Sequence, residues 1–410
     1  MKTILKSVLI LLFFASCTNQ NEPNPIVITK DADPIALRVG LEKRVAQDNE
    51  FAFDLLRKTM ADSKETNVFV SPMSVSIALG MAWNGANGET KAEMETALKM
   101  SGLSVTDIND YYQVMQTNLP IVDPTTKLTI ANSLWYRIGF PVKQDFLKVN
   151  SDYFKAEVRE LDFDQAWAKD TINNWCSRKT NKLIPEVLDV IPSNAVMYLI
   201  NAVYFKGIWR KQFEKKNTAE ATFTNETGNQ VKVNMMYQKD TFPYTEDANA
   251  QYLDMPYGNK AFSMTVILPK ETKTTADVLN SLTVDSWNLT LQNLSSREVE
   301  VHFPRFKTKN KFLLNDVLKN MGMNLAFTDY ADFTNIANAS LSISRVLHNT
   351  CVEVTEEGAE AAAVTVVEVS YTSFPVNLQF RADKPFVFVI REKSTGVILF
   401  IGKMGTVEKY

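Results

Sequence analysis

The chain has 410 residues, of which 45% are hydrophobic and 22% are charged, and its formal net charge is -3. This length and ordinary composition predict a globular protein with a large buried core. The small negative charge argues against a general nucleic-acid binder. No stretch after residue 16 is apolar and long enough to cross a bilayer, so no membrane-spanning helix is expected.

The first 16 residues have the organisation of a secretory signal peptide. Two lysines and an apolar run at residues 8–14 come before Ala15-Ser16-Cys17, and such an arrangement is typical of export signals. The cysteine after the small residues resembles a bacterial lipobox. This resemblance implies export, lipidation of Cys17 and attachment to the bacterial cell envelope, in the periplasm or at the cell surface. A plain signal peptide with a chance cysteine is the alternative.

Residues 17–44 are expected to form a lipidated N-terminus and a flexible tether. Residues 18–37 are rich in Asn, Pro and Asp and have neither helical nor strand periodicity, which is typical of a linker. The lipid would be the only contact with the membrane. The folded domain is predicted to span residues 45–410.

Apolar periodicity divides the first half of this domain into helices and strands. Helices are predicted at residues 47–60, 72–83, 90–99, 105–118 and 164–180, and strands at 67–70, 127–136 and 197–205. Ser71 and Pro72 favour the start of the second helix, because serine caps helices and proline is accepted in their first turn. Its body is apolar nearly all round, which predicts a buried central helix.

The second half contains predicted strands at 253–257, 262–269, 344–355, 384–391 and 396–403, and predicted helices at 274–282 and 312–321. The strands between 253 and 269 are expected to belong to a second, more buried sheet.

Residues able to carry catalysis or bind metal are sparse. Besides Cys17, the chain has Cys176, Cys351, His302 and His348, with no CxxC, HExxH, Walker, dinucleotide-binding or GxSxG motif, so no enzyme activity, metal or cofactor is expected. The one catalytic option is Cys351 with His348, but residues three apart on a strand point to opposite faces. A disulfide between Cys176 and Cys351 is an open option that a domain of this size does not need.

Residues 356–380 are the most informative stretch. From Ala359 onward, alternate positions up to residue 369 carry no charge, whereas Glu360 and Glu368 lie on the opposite face. This alternation is typical of a half-buried strand. Three consecutive alanines are nevertheless poor strand formers, and Gly358 is a flexible pivot. Small side chains suit a strand that slides between two existing strands.

Two motifs here resemble the serpin family. Residues 356–363, EEGAEAAA, resemble the proximal hinge, and residues 380–390, FRADKPFVFVI, resemble the block that follows the reactive loop. The resemblance covers about residue 45 to the end. It implies a mixed α+β serpin fold with three β-sheets, about eight or nine helices and an exposed reactive-centre loop at about 357–380. The implied hinge residues are Glu356, Gly358, Ala359, Glu360, Ala361, Ala362 and Ala363.

The resemblance also implies two polar clusters. Ser71, Ser74, Asn201 and His348 lie in otherwise apolar elements. They are either four locally satisfied groups or, as in serpins, a shared network at the shutter, where the central strands part. The second implied cluster, the breach at the top of the sheet, consists of Trp209, Arg305 and Glu356.

The function that the resemblance implies is suicide-substrate inhibition of proteases by a monomer. Counting seventeen residues from Glu356 by family spacing puts the reactive bond at Thr372-Ser373, with Tyr371, Val369 and Ser370 as neighbouring candidates. No Lys or Arg lies between Glu357 and Phe380. A protease whose specificity pocket holds a carboxylate would therefore leave that negative charge unpaired when it binds this loop. The expected targets are elastase-, subtilisin- or chymotrypsin-like enzymes, and papain-like proteases are a weaker option.

Two other functions stay open. A serpin without inhibitory activity would act as a surface binding protein. The last alternative is a surface-binding lipoprotein of unrelated fold.

Overall fold

The computed structural model describes residues 30–358 and 378–409. Several predicted features lie outside the described residues, namely the signal peptide, Cys17, the hinge from Ala359 to Ala363, and the expected reactive bond Thr372-Ser373 with its neighbours Val369, Ser370 and Tyr371.

The described residues form nine α-helices and two short 3-10 helices. The α-helices are α1 (Glu42–Asp62), α2 (Pro72–Trp83), α3 (Gly88–Ala97), α4 (Val105–Asn118), α5 (Gln144–Phe154), α6 (Trp167–Lys179), α7 (Thr275–Ser281), α8 (Val284–Asn293) and α9 (Asn315–Lys319). The 3-10 helices span Lys215–Asn217 and Leu325–Phe327. Within this part of the chain, no helix has the length and apolarity needed to span a bilayer.

The strands are β1 (Val68–Val70), β2 (Lys127–Arg137), β3 (Glu157–Leu161), β4 (Met197–Lys206), β5 (Ala219–Thr224), β6 (Gln230–Glu246), β7 (Ala250–Pro256), β8 (Phe262–Pro269), β9 (Ser295–Pro304), β10 (Phe306–Leu313), β11 (Leu347–Val354), β12 (Leu378–Arg381), β13 (Phe386–Glu392) and β14 (Ile398–Met404). Across the described ranges they form three sheets. The largest has the order β1-β14-β13-β8-β7-β6-β9-β12, with β5 paired to β6; the others are β3-β2-β4 and β10-β11.

The nine-stranded sheet forms the core of the molecule. Every residue of β8, β13 and β14 is buried, as expected of apolar strands covered on both faces. Phe69 stacks on Phe388 and on Phe400, with ring centroids 5.4 Å apart in each pair. The prediction of a second, more buried sheet that contains residues 253–269 is therefore confirmed.

Helix α2 packs between the three-stranded sheet and the nine-stranded sheet. It lies between β4 and β14, and all of its residues except Ala78 are buried. Its start matches the prediction, because Ser71 accepts the Ser74 N–H and Pro72 is the first helical residue. This apolar helix provides the hydrophobic surface against which β4 packs.

Two predictions from the sequence are wrong. The helix expected at residues 312–321 is limited to α9, because residues 306–313 alternate between buried and exposed positions in β10. The flexible tether expected up to residue 44 is replaced from residue 30 by a docked segment, in which Ile35 and Leu41 are 8% and 1% exposed, and α1 already begins at Glu42. The 17-residue strand β6 was not predicted at all.

Candidate functional site

A cleft separates the two smaller sheets. Strands β4 and β11 both end next to Gly358, since β4 leads to Ile208 and β11 leads to Thr355, and each of these residues pairs with Gly358. The strands therefore run in the same direction. No ladder of the described residues joins them directly. A cavity of about 470 Å³ lies between them, with Ala78 and Leu79 of α2 among its lining residues.

A tight turn lies where the ends of β4 and β11 meet, and it closes that end of the cleft. This end is called the top of the cleft below. The Thr355 N–H donates to the Gly358 carbonyl at 2.8 Å, and the Gly358 N–H donates back to the Thr355 carbonyl at 3.2 Å. Gly358 has φ +122°, and a Cβ atom there would lie 2.3 Å from the carbonyl oxygen of Gly207. Only glycine fits this position without strain. The turn reverses the chain, so that Gly358 is antiparallel to both neighbours.

The structure brings the three expected breach residues together around this turn. The Trp209 Nε1–H donates to the Thr355 carbonyl at 3.0 Å. Glu356 is 3% exposed, and its carboxylate accepts the Thr218 hydroxyl at 2.8 Å and lies 3.7 Å from Arg305 Nε. Thr218 was not anticipated from the sequence, because a lone threonine between exposed residues carries no signal of such a role.

Backbone hydrogen bonds also join this turn to the residues that follow β4. The Trp209 N–H donates to the Glu357 carbonyl at 3.0 Å, and the Phe213 N–H donates to the Glu356 carbonyl at 2.8 Å. The Trp209 ring also stacks on Tyr257, with centroids 4.4 Å apart. The first residues of the expected reactive loop are thus tied to the end of β4.

Three of the four expected shutter residues share hydrogen bonds at the floor of the cleft. The Ser71 N–H donates to His348 Nε2 at 3.0 Å, and the Ser71 hydroxyl donates to the Leu399 carbonyl at 2.9 Å. The Ser74 N–H donates to the Ser71 hydroxyl at 3.4 Å. Complete burial lowers the pKa of His348 to about 4. The ring is therefore neutral at physiological pH and free to accept at Nε2.

Asn201, the fourth residue, belongs to a separate set of bonds. Its amide donates to Asn132 Oδ1 at 2.7 Å, and Asn132 in turn donates to the Phe154 carbonyl at 2.6 Å and to Gln116 Oε1. The single network expected from the resemblance is therefore divided in two among the described residues. Asn201 nevertheless lines the same cleft as His348. Asn132 was detectable in principle as a polar residue within an apolar strand.

The cysteines and histidines do not form a catalytic pair. His348 is buried on β11, whereas Cys351 is half-buried on the other face of the same strand. Cys176 and Cys351 are free thiols, and burial raises the pKa of Cys176 to about 12. In the described residues, no group of His, Cys, Asp and Glu is arranged to hold a metal ion.

Comparison with known proteins agrees with this geometry. The family model described as "Serpin (serine protease inhibitor)" matches residues 46–406. The chain is 35% identical to intracellular coagulation inhibitor 2 of Tachypleus tridentatus, over 87% of this chain and 89% of that protein. It is 33% identical to the leukocyte elastase inhibitor of Bos taurus, over 89% of this chain and 100% of that protein.

Solved structures lead to the same family. The native state of the thermophilic serpin tengpin superposes with a TM-score of 0.82 at 35% identity, covering 92% of this chain and 97% of tengpin. The latent state of tengpin gives a TM-score of 0.78 at 34% identity, with coverages of 91% and 100%. The mixed α+β fold expected from the sequence is thus confirmed, and the chain belongs to the serpin family.

Proposed function

We propose that the protein inhibits endopeptidases as a suicide substrate. A target protease attacks one bond of the loop that follows Gly358 and forms an acyl-enzyme. The freed part of the loop then enters the cleft between β4 and β11 as a new strand and carries the protease with it. About 14 inserted residues at roughly 3.3 Å each span on the order of 45 Å. The acylated active site is distorted before hydrolysis finishes.

The observation that carries this proposal is the position of Gly358 between the ends of the two strands. It already pairs with Ile208 on one side and with Thr355 on the other. An entering strand would therefore continue an existing antiparallel arrangement rather than begin a new one. Closing the turn is the step of strand pairing that costs the most conformational entropy, and the turn between Thr355 and Gly358 is already closed.

Unpaired acceptors inside the cleft also favour an entering strand. Asn201 Oδ1 and Asn349 Oδ1 are buried and have no hydrogen-bond partner among the described residues, and both residues line the cavity. A buried acceptor without a partner costs about 1–3 kcal/mol. A new strand would supply backbone N–H donors, and burial of its Ala and Val side chains adds to the driving force. The intact protein is then a kinetically trapped state.

In this proposal, the breach and shutter residues control the opening of the sheet. Glu356, Arg305 and Trp209 hold the turn at the top, and Ser71 and His348 hold the floor. Each of these hydrogen bonds and ion pairs can be replaced by another when the strands separate, so the sheet is held closed in the intact protein and can still open.

The proposed targets are proteases with apolar or permissive specificity pockets. The loop offers no basic residue, and the expected reactive bond is Thr372-Ser373. One relative is named a leukocyte elastase inhibitor, which agrees with an elastase-like target. We further propose that the mature protein is a monomer held at the cell envelope through lipid on Cys17.

Incubation with a protease panel tests the proposal. The mature protein is mixed with elastase, subtilisin, chymotrypsin and trypsin and analysed on denaturing gels. We expect complexes that survive denaturation with at least one of the first three proteases, and mass spectrometry of the released peptide gives the bond. Cleavage by every enzyme without any stable complex would favour the serpin without inhibitory activity. A stable complex with trypsin formed through this loop would refute the argument from charge.

A further inference from the structure

The turn between α2 and α3 contains two Asn-Gly dipeptides, Asn84-Gly85 and Asn87-Gly88. In this dipeptide the backbone nitrogen of the glycine can attack the side-chain carbonyl carbon of the asparagine, because glycine has no Cβ atom to block the approach. Asparagine is for this reason one of the thermolabile residues of proteins. The two dipeptides have the same sequence, so the structure around each of them decides which one reacts.

The dipeptide Asn84-Gly85 is held in place by its contacts. The Asn84 side chain exchanges two hydrogen bonds with Asn109, at 2.9 and 3.0 Å. The Gly85 N–H donates to the Ala82 carbonyl at 2.8 Å. Gly85 is buried, and a Cβ atom added to it would lie 2.2 Å from the Ile336 side chain. Both reacting groups are therefore engaged in hydrogen bonds, and the backbone has no room to turn.

The dipeptide Asn87-Gly88 lacks these restraints. Both residues are exposed, and the Asn87 side chain makes no capping hydrogen bond although it precedes α3. Gly88 is the first residue of this helix, where backbone N–H groups have no partner within the helix, and no other group in the described ranges accepts its N–H. Apart from its own helix and chain neighbours, a Cβ atom added to Gly88 would meet only an Asp332 carboxylate oxygen, at 3.8 Å. Both reacting groups are thus free, and the backbone has space to rearrange.

We propose that Asn87 is a site of spontaneous covalent modification, whereas Asn84 is protected. The Gly88 nitrogen forms a bond to Asn87 Cγ, the bond from Cγ to the side-chain nitrogen breaks, and the Gly88 proton leaves with that nitrogen as ammonia. Water then opens the resulting cyclic imide at either of its carbonyl groups. One opening gives aspartate at position 87, and the other gives isoaspartate, in which the backbone passes through the side-chain carbons. The net reaction consumes water and releases ammonia, with no oxidation or reduction.

Position 87 is joined to a loop that lines the cleft. The Asn87 N–H donates to the Asp332 carbonyl at 2.9 Å, and the Asp332 N–H donates to the Thr90 hydroxyl at 2.9 Å. Phe333 and Ile336 of the same loop line the cavity between β4 and β11. A change in the backbone at position 87 therefore acts on the wall of the cleft.

The two products differ in their effect on this connection. Aspartate keeps the backbone and adds a negative charge at the start of α3, where the helix dipole favours it and the carboxylates of Glu89 and Asp332 oppose it. We expect these two effects to offset one another. Isoaspartate lengthens the backbone between the N–H of residue 87 and the Thr90 hydroxyl, so both hydrogen bonds to Asp332 cannot keep their present spacing. We therefore expect isoaspartate to destabilise the protein.

Peptide mapping of the intact protein tests the site. The protein is incubated at mildly alkaline pH, samples are digested at intervals, and tandem mass spectrometry locates each converted asparagine. We expect aspartate and isoaspartate to accumulate at position 87 several-fold faster than at position 84. Equal rates, faster conversion at position 84, or no conversion at either position would overturn the proposal.

Incubation in concentrated urea is the matched control for the role of the structure. The unfolded chain keeps both dipeptides and loses the contacts that distinguish them, so the two conversion rates should become similar. A difference that persists in urea would show that the flanking residues cause it, and it would refute the argument from burial and hydrogen bonding.

The variant Asn87→Ser tests the chemistry. Serine is accepted at helix starts and has no amide, so the variant should lose most of the acidic species that accumulate in the wild type on anion exchange. Undiminished accumulation of acidic species would contradict a modification at position 87.

The variant Asn87→Asp separates the effect of charge from that of the backbone. It carries the same added charge as the modified wild type but no isoaspartate. The acidic fraction of the incubated wild type, with its isoaspartate content measured by an isoaspartate methyltransferase, should therefore unfold at a lower urea concentration than the variant. Equal midpoints at a high isoaspartate content would refute the effect on the loop. These measurements involve no protease, so their outcome is independent of the proposed inhibitory function.

Discussion

Protonation of His348 should weaken the closed sheet at mildly acidic pH. Burial lowers its pKa to about 4, whereas an unfolded histidine titrates near 6.5. Between these two values the unfolded chain binds the proton and the folded chain does not, so stability falls as pH falls through this window. A difference of this size corresponds to roughly 3 kcal/mol, fully present above about pH 6.5 and lost by about pH 4.

The structural consequence is the loss of a specific bond. His348 Nε2 accepts the Ser71 N–H at 3.0 Å, and a protonated ring becomes a donor at both nitrogens. The Ser71 N–H would then face another donor in a buried site. Because Ser71 also starts α2, the change acts on the floor of the cleft between β4 and β11.

Denaturant unfolding of the intact protein between pH 4.5 and pH 7.5 measures the effect. The free energy of unfolding of the wild type should rise with pH more steeply than that of His348→Gln, which keeps an acceptor and cannot titrate. His302→Gln is the matched control, since His302 is half-buried on β9 and should leave most of the slope. Acidic residues titrate in all three proteins and cancel in the comparison. Equal slopes for wild type and His348→Gln would refute the reasoning.

Three further predictions concern the hinge, the breach and the anchor. If the protein acts by loop insertion as proposed, Ala359→Arg should be cleaved at the same bond as the wild type without forming a stable complex on denaturing gels, because an unpaired charge entering the sheet costs several kcal/mol. Glu360→Ala should keep the inhibition of the wild type, and equal inhibition by the two variants would contradict loop insertion. Thr218→Val removes a donor to the buried Glu356 carboxylate and should lower the free energy of unfolding by about 1–3 kcal/mol in urea titrations; an unchanged midpoint would show that the bond contributes nothing. Cys17→Ala should move the mature protein from the detergent phase to the aqueous phase in phase partitioning, and an aqueous wild type would contradict lipidation.

Short-range signals in the sequence were sufficient for several elements. Residues 105–118 were predicted as a helix and form α4, and residues 262–269 were predicted as a strand and form β8. Caps, helical periodicity and apolar runs act over a few residues, so they are visible without tertiary contacts. The prediction of a helix at residues 312–321 failed because it also relied on a local pattern. The pairing of β10 with β11, which joins distant parts of the chain, outweighs that short helical pattern.

The hinge motif and the apolar segments around it were enough to identify the family and the segments that form the site. The way in which these segments meet depends on contacts between residues far apart in the chain. Ser71 and His348 are 277 residues apart, and no local pattern reports such a contact. The separation of Asn201 from the other shutter residues, the position of Gly358 between two strands and the docking of residues 30–41 likewise depend on distant partners. Interactions across large sequence separations arise from packing and chain topology, which a one-dimensional pattern does not contain.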